Sequence, residues 1–230
     1  MRPLGNTLDD EFGGAGATVH VLLSHFHWDH LQGIPYFAPL FDERCEIVFY
    51  AAASSDRIEA ALDSQMQAPF FPIGLDQTAA RRQFVSLPAE GMEIGEVRVT
   101  PVALTHPQGA SGFRIDDGGQ SLLYASDHEH GDAIVDDAIR DAATGADLLI
   151  YDAQYTPDEY TTRVGWGHST WESGVEIASA AGVGKLLLFH HDPGHDDNSL
   201  AAIEDEARLR LANTSMAREG DTYVLGEGSE

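Results

Sequence analysis

The chain has 230 residues, with 38 acidic against 13 basic side chains, a formal charge of −25 and a single cysteine, Cys45. That length suits one domain with a substantial core, a lone cysteine excludes an internal disulfide or a thiolate metal cluster, and so acidic a surface repels polyanions at low salt. No apolar run approaches the ~20 residues of a membrane span, and the N-terminus lacks the basic-then-apolar layout of a signal peptide, so a cytoplasmic protein with no membrane partner is expected.

In chain order, residues 1–16 read as a short helical turn followed by a glycine-rich loop. Val19, Val21, Leu22 and Leu23 then predict a buried strand that breaks into a loop carrying H-x-H-x-D-H: His25, His27, Asp29 and His30. Imidazoles and a carboxylate are the donors that zinc and its first-row neighbours prefer, and so many in one short loop would crowd a single tetrahedral ion. Two adjacent ions are therefore expected. Next come a strand over Glu46 to Ala51 and a helix capped by Ser55, in which Ile58, Ala61, Leu62 and Met66 share a face. The aromatic loop at 67–75 is expected to pack into the core rather than to act as a lid.

Runs at Gln83 to Leu87, Val97 to Leu104, Gly112 to Ile115 and Ser121 to Ala125 suggest one mostly antiparallel stretch of sheet. His106 and Asp127 follow two of these runs. A helix from Asp132 to Ala143 leads to a strand over Asp147 to Tyr151 that ends in Asp152, and the rest alternates: helix Ser169 to Ala181, strand Lys185 to Phe189, helix Leu200 to Leu211. Apolar strands alternating with amphipathic helices predict an α/β layered fold, with candidate ligands gathered at strand ends. Taken alone, these candidates have ordinary readings too. His106 beside Pro107 could be a turn residue, Asp127 a cap, and His168 a loop histidine. Of the neighbours His190 and His191, strand geometry lets only one face a given site.

The segment SHFHWDHLQGIPYFAPLF resembles the signature loop of the metallo-β-lactamase-fold hydrolases. LLYASDHE, DLLIYDAQY, GWGHST and LLLFHHDP follow in the order of the phosphoribosyl cyclic phosphodiesterase-like branch and, more distantly, of ribonuclease Z. The resemblance implies an αββα sandwich forming a single domain over 1–230. It also implies that the first N-terminal strands are missing, because residues 2–8 resemble the stretch that follows an Asp-x-Gly turn in those proteins. A homodimer would be one way to cover the edge this leaves.

The same resemblance implies that His25, His27 and His106 hold one metal, that Asp29, His30 and His190 hold a second, and that Asp127 bridges them. The ions would be zinc, with manganese or iron as alternatives. Two metals ~3.5–4 Å apart would acidify a shared water and polarise a substrate oxygen. Asp29 would hold the nucleophile or take its proton, and His168 would stabilise phosphoryl oxygens or protonate the leaving oxygen. Asp152 is read as a carboxylate orienting His168 or a ligand histidine. His191 and Asp192 are read as supporting or substrate contacts, and His195 and Asp196 as surface residues.

The expected function is thus a dinuclear-metal phosphodiesterase, in which a metal-bridging hydroxide attacks a small cyclic or nucleotide-like diester. The alternatives are a thioester or other ester hydrolase, an RNA-processing nuclease, and an inactive metal-binding or regulatory member. Lactam hydrolysis is disfavoured because Asp127 stands where the best-known lactam hydrolases use cysteine. With no basic arm and so much negative charge, a nucleic-acid partner is not expected.

Overall fold

In the computed structural model, which describes residues 1–12 and 15–226, contacts separate the chain into two units, Met1–Pro88 and Ala89–Glu230. The first unit holds α1 (Arg2–Glu11), β1 (Thr18–Leu22), α2 (Trp28–Leu31), β2 (Glu46–Ala51), α3 (Ser55–Gln65) and β3 (Arg81–Ser86). Its three strands form a parallel sheet in the order β1-β2-β3. β2 lies in the middle and is buried throughout the run Ile47 to Ala51, as a continuous apolar run between two parallel neighbours should be. Ile47, Phe49, Ile58, Leu62 and Met66 are all fully enclosed in this unit's core.

Several expectations change here. The opening segment is a ten-residue helix rather than a single turn, and Gly13 and Gly14 of the expected glycine-rich loop lie outside the described residues. β1 is only half-buried, and β2 is its one strand partner among the described residues. The cap of α3 is Ser54, whose hydroxyl accepts from the Arg57 amide at 3.4 Å, and not Ser55. The strand expected at Gln83 to Leu87 is β3, a parallel partner of β2 and no part of an antiparallel stretch. The run near residue 70 does not all pack inside: Leu75 is buried, but Phe70 is 75% exposed.

The second unit holds β4 (Met92–Ile94), β5 (Val97–Leu104), β6 (Ala110–Asp117), β7 (Gln120–Ala125), α4 (Ala133–Ala143), β8 (Leu148–Asp152), α5 (Pro157–Tyr160), α6 (Trp171–Ala181), β9 (Lys185–Phe189), α7 (Asp197–Arg210) and β10 (Thr214–Met216). Its seven described strands form one sheet, β10-β9-β8-β7-β6-β5-β4, antiparallel from β4 to β7 and parallel from β7 to β10. The helices start on side-chain caps. Asp132 accepts from the Ile134 amide at 3.0 Å, Thr170 from Ser173 at 3.2 Å and Asp196 from Ser199 at 2.8 Å. α6 ends on Gly182 in the left-handed region (φ 66°), a conformation that would strain a side chain. Leu123, Leu149, Leu186 and Leu188 centre the core. The short elements β4, α5 and β10 are not among the sequence expectations. No described helix is long and apolar enough to cross a membrane.

Candidate metal and catalytic centre

In the first unit, the motif after β1 is only partly a loop. Asp29 and His30 sit on α2, with His27 in extended conformation at its N-cap. This one-turn helix folds His30 back over His25, so that the ring centroids of His25–His27 and His25–His30 lie 4.4 and 4.3 Å apart. His25 is buried, and Ser24 Oγ lies 3.1 Å from its Nδ1. The Asp29 side chain is 57% exposed, and its Oδ2 lies 3.3 Å from His30 Nε2. Bunched imidazoles beside a carboxylate are costly to assemble unless a cation shares them.

In the second unit, strand direction does the gathering. β7, β8 and β9 are parallel, and β5 has the same direction because two antiparallel steps separate it from β7. All four therefore end on one edge of the sheet, and His106, Asp127, Asp152 and His190 stand at or just beyond those ends. Asp127 and His190 both adopt left-handed backbone (φ 63° and 60°). Such strain in non-glycine residues persists where the surroundings impose it, as they do at functional sites.

Asp152 is fully buried and organises this edge. Its carboxylate accepts from the backbone N–H groups of Asp127 at 3.0 Å and Ser169 at 2.9 Å, and from His168 Nδ1 at 2.8 Å. Fixing Nδ1–H in this way puts Nε2 of His168 on the opposite side of the ring. The His168 and His190 rings stack at 4.8 Å and 11°. Asp127, Asp152, His168 and His190 each offer a ligand atom within 4.8 Å of the others.

His106 Nδ1–H donates to the Gly167 carbonyl at 2.8 Å, which leaves Nε2 as the donor atom toward Asp127 Oδ1, 4.0 Å away. His190 Nε2 lies 3.3 Å from the same Asp127 oxygen. Donors held 2.0–2.2 Å from a tetrahedral ion are about 3.3–3.6 Å apart, so the His190–Asp127 spacing fits a shared metal and the His106 spacing needs only a small closure. A ligand histidine whose other nitrogen donates to a carbonyl is the usual supporting arrangement. The residues present fit a divalent metal.

Around these groups lie residues that the sequence reading passed over. Buried Glu129 accepts from the amides of Gly165 at 2.6 Å and Gly167 at 2.7 Å and from the Tyr160 hydroxyl at 3.0 Å. Burial raises its pKa, but these donors outweigh that and hold it below the usual glutamate value. Glu129 thereby ties down the turn that carries His168. Buried His128 accepts from the Thr105 amide at 3.2 Å on Nδ1 and donates from Nε2 to Asp136 at 3.0 Å. Burial lowers its pKa against the pull of Asp136. Ser169 Oγ donates to the His128 carbonyl at 2.6 Å, locking the GHST segment to the end of β7. The signal for Glu129 was an acidic residue four positions past the end of β7, ambiguous because most acids in this chain are merely solvated.

One further expectation is corrected. His195 is not a surface residue: its side chain is 11% exposed and Nε2 lies 2.9 Å from Glu159 Oε1. Asp196 is exposed, as expected, and caps α7. His191 is partly buried, and burial lowers its pKa.

The match to known proteins decides the family. A model described as beta-lactamase superfamily domain matches residues 14–191. The chain belongs to the beta-lactamase superfamily. Ribonuclease Z of Haloarcula marismortui is 21% identical over 95% of this chain and 81% of its own length. Among solved structures, the metallo-β-lactamase-fold protein YhfI from Bacillus subtilis aligns with TM-score 0.67 and 21% identity, over 88% of this chain and 75% of that one. A diphosphatase of the PhnP family aligns with TM-score 0.64 and 20% identity, over 94% and 74%. The chain is a metallo-β-lactamase-fold hydrolase, and its histidine and aspartate clusters suit divalent metal.

Two substitutions probe the frame of this hydrolase. Gly167 has φ 88°, and a methyl there would run into Pro107 Cδ and His106 Nδ1. Gly167→Ala is expected to cost about 1–3 kcal/mol from the conformation alone, to displace His106, and to lower both the denaturation midpoint and metal affinity. For Glu129→Gln, whose amide nitrogen cannot accept, the expected loss is about 1.5–3 kcal/mol. Amide hydrogen exchange should accelerate across 161–168 while β8 and β9 stay protected; uniform exchange would show that Glu129 does not anchor that turn.

Proposed function

We propose that this hydrolase is a dinuclear-metal phosphodiesterase acting on a small cyclic or nucleotide-like diester, one catalytic domain over 1–230 working in the cytoplasm. His25, His27, Asp29, His30, His106, Asp127 and His190 are its metal ligands. The observation that carries the reading is His168, held through Nδ1 by buried Asp152 at 2.8 Å and stacked on His190. An imidazole whose tautomer is set by a carboxylate, next to metal donors, can give a proton to a departing alkoxide or hydrogen-bond a phosphoryl oxygen.

Two divalent ions, zinc by preference, would supply an acidified water and polarise the phosphoryl group. Asp29, the most exposed of the ligand carboxylates, is suited to hold that water or accept its proton. His168 serves the leaving oxygen. Asp152 keeps the imidazole from rotating, and its negative charge stabilises the imidazolium before transfer. The names ribonuclease Z and diphosphatase, carried by a relative and a structural neighbour, both denote cleavage at phosphorus. The charge of −25 favours a small diester over RNA.

The test is turnover of bis(p-nitrophenyl) phosphate, a chromogenic thioester and a chromogenic lactam by protein reconstituted with zinc or manganese. Diester cleavage at least tenfold above the others supports the proposal. A preference for the thioester, or no turnover with metal bound, overturns it in favour of a thioester hydrolase or a metal-binding regulatory protein.

A further inference from the structure

A tyrosine withdrawn from water usually finds a partner for its hydroxyl, and several here do. Tyr151 Oη lies 3.2 Å from Ser169 Oγ, Tyr160 donates to Glu129 at 3.0 Å and Tyr223 to Asp221 at 3.2 Å. Tyr155 departs from this pattern. It is 2% exposed, yet its hydroxyl makes no hydrogen bond with any described residue. An enclosed O–H without an acceptor costs stability, and such groups are kept where a ligand supplies what the fold does not.

Tyr155 is also fixed against the catalytic edge. Its backbone bridges to Thr170: its amide donates to the Ser169 carbonyl at 3.1 Å, and the Trp171 amide donates to its carbonyl at 3.3 Å. Tyr155 and the segment that carries His168 are thus tied together. Their two rings meet edge to face at 6.1 Å and 84°, and the same His168 ring lies 4.8 Å from that of His190 and 5.1 Å from that of His106. The Arg163 guanidinium carbon sits 5.5 Å from the centroid of the Tyr155 ring and holds its face by cation–π attraction. Burial raises the pKa of Tyr155; Arg163 opposes this, while Asp192, Asp152 and Glu129 add to it. The hydroxyl therefore keeps its proton. The charges acting on it belong to the catalytic edge, since Asp152 is the carboxylate that holds His168 and Asp192 lies two residues past His190.

We infer that Tyr155 is a further contact for the reacting group: its hydroxyl donates a hydrogen bond to an anionic phosphoryl oxygen held beside His168. The inference rests on the phosphodiesterase reading for the reaction it assists, but not for the binding of a phosphoryl anion. The two side chains have separate tasks. The imidazole serves the leaving oxygen, while the phenol, which gives up no proton, holds a non-bridging oxygen in a charge-assisted bond about twice as strong as a neutral one. A phosphoryl group has oxygens enough to occupy both donors at once, which a thioester carbonyl with its single oxygen does not.

Calorimetric titration of inorganic phosphate into metal-loaded protein reads the contact directly, beside turnover of bis(p-nitrophenyl) phosphate and the thermal midpoint of the metal-free chain. Tyr155→Phe removes the hydroxyl and keeps the ring. It is expected to weaken phosphate binding and to lower kcat/KM for the diester ~10–100-fold each, the range for a hydrogen bond to a charged group. Metal content should not change, and the pH profile should keep its shape because this hydroxyl does not titrate near neutral pH. The midpoint should hold or rise, whereas Tyr151→Phe, which breaks a paired hydroxyl, should lower it. Wild-type phosphate affinity in Tyr155→Phe, a loss of metal, or a midpoint lowered as in Tyr151→Phe overturns the inference, the last by showing that the hydroxyl belongs to the fold. Weakened phosphate binding in a protein that cleaves no diester would keep the inference and sink the phosphodiesterase reading instead.

Discussion

Replacing His168 with alanine is expected to lower diester turnover ~10²–10⁴-fold while leaving the metal content as it was. His168 Nδ1 is already committed to Asp152 at 2.8 Å, and its ring lies flat against His190. The proposed role is therefore that of a proton donor or phosphoryl contact with a preset tautomer. The four-residue grouping of Asp127, Asp152, His168 and His190 allows a different assignment, in which His168 is itself a ligand. Elemental analysis beside the kinetics separates the two. A fall in bound metal would make His168 a ligand, and full activity would reduce it to a packing residue. Asp152→Asn provides an independent check. It keeps the shape of the side chain but removes the charge that favours Nδ1–H, so it should slow turnover in the same direction.

Asp127 should be the more drastic position for metal. It is buried, its Oδ1 lies 3.3 Å from His190 Nε2, and Ser126 Oγ donates to its Oδ2 at 2.9 Å, leaving both oxygens directed. In the proposed dinuclear site, removing the carboxylate would leave two nearby cations without the shared negative charge that neutralises them. Asp127→Ala is expected to lose one or both metals and essentially all turnover with the fold retained. Because Asp127 has φ 63°, alanine also pays about 1–2 kcal/mol for a left-handed backbone. Asp127→Asn accepts that conformation more readily, and its comparison with alanine separates the backbone cost from the loss of the ligand. Reconstituted wild type should hold two metals per chain. At most one would overturn the dinuclear mechanism while leaving a metal site in place.

What could be read from sequence followed local rules. The α/β class, the strands over Glu46 to Ala51, Val97 to Leu104 and Lys185 to Phe189, and the family all came from apolar runs bounded by turns and from motifs compressed into a few residues. His25, His27, Asp29 and His30 announce themselves because their spacing is local. Asp152 could be suspected as a partner of His168 because both lie at the edges of recognisable elements.

Other features depended on contacts that no local pattern encodes. Whether Gln83 to Leu87 joins an antiparallel or a parallel sheet turns on which strand it meets, and its own alternation is the same in either. His195 reads as polar loop, yet Glu159 from the otherwise unpredicted α5 takes up its Nε2. Glu129 and Gly167 matter through bonds and close approaches spanning 31 to 61 residues. Their identities alone, one more acid in an acidic chain and one more glycine in a loop, carry no such sign. Arg163 is the sharpest instance. Its sequence neighbours suggest an ordinary solvated arginine, and only the fold sets its guanidinium over the Tyr155 ring as well as that of Trp166, with no carboxylate paired to it among the described residues. Local chemistry chose the elements and the candidate metal donors, whereas long-range packing chose the partners that fix tautomers and hold backbones in strained regions.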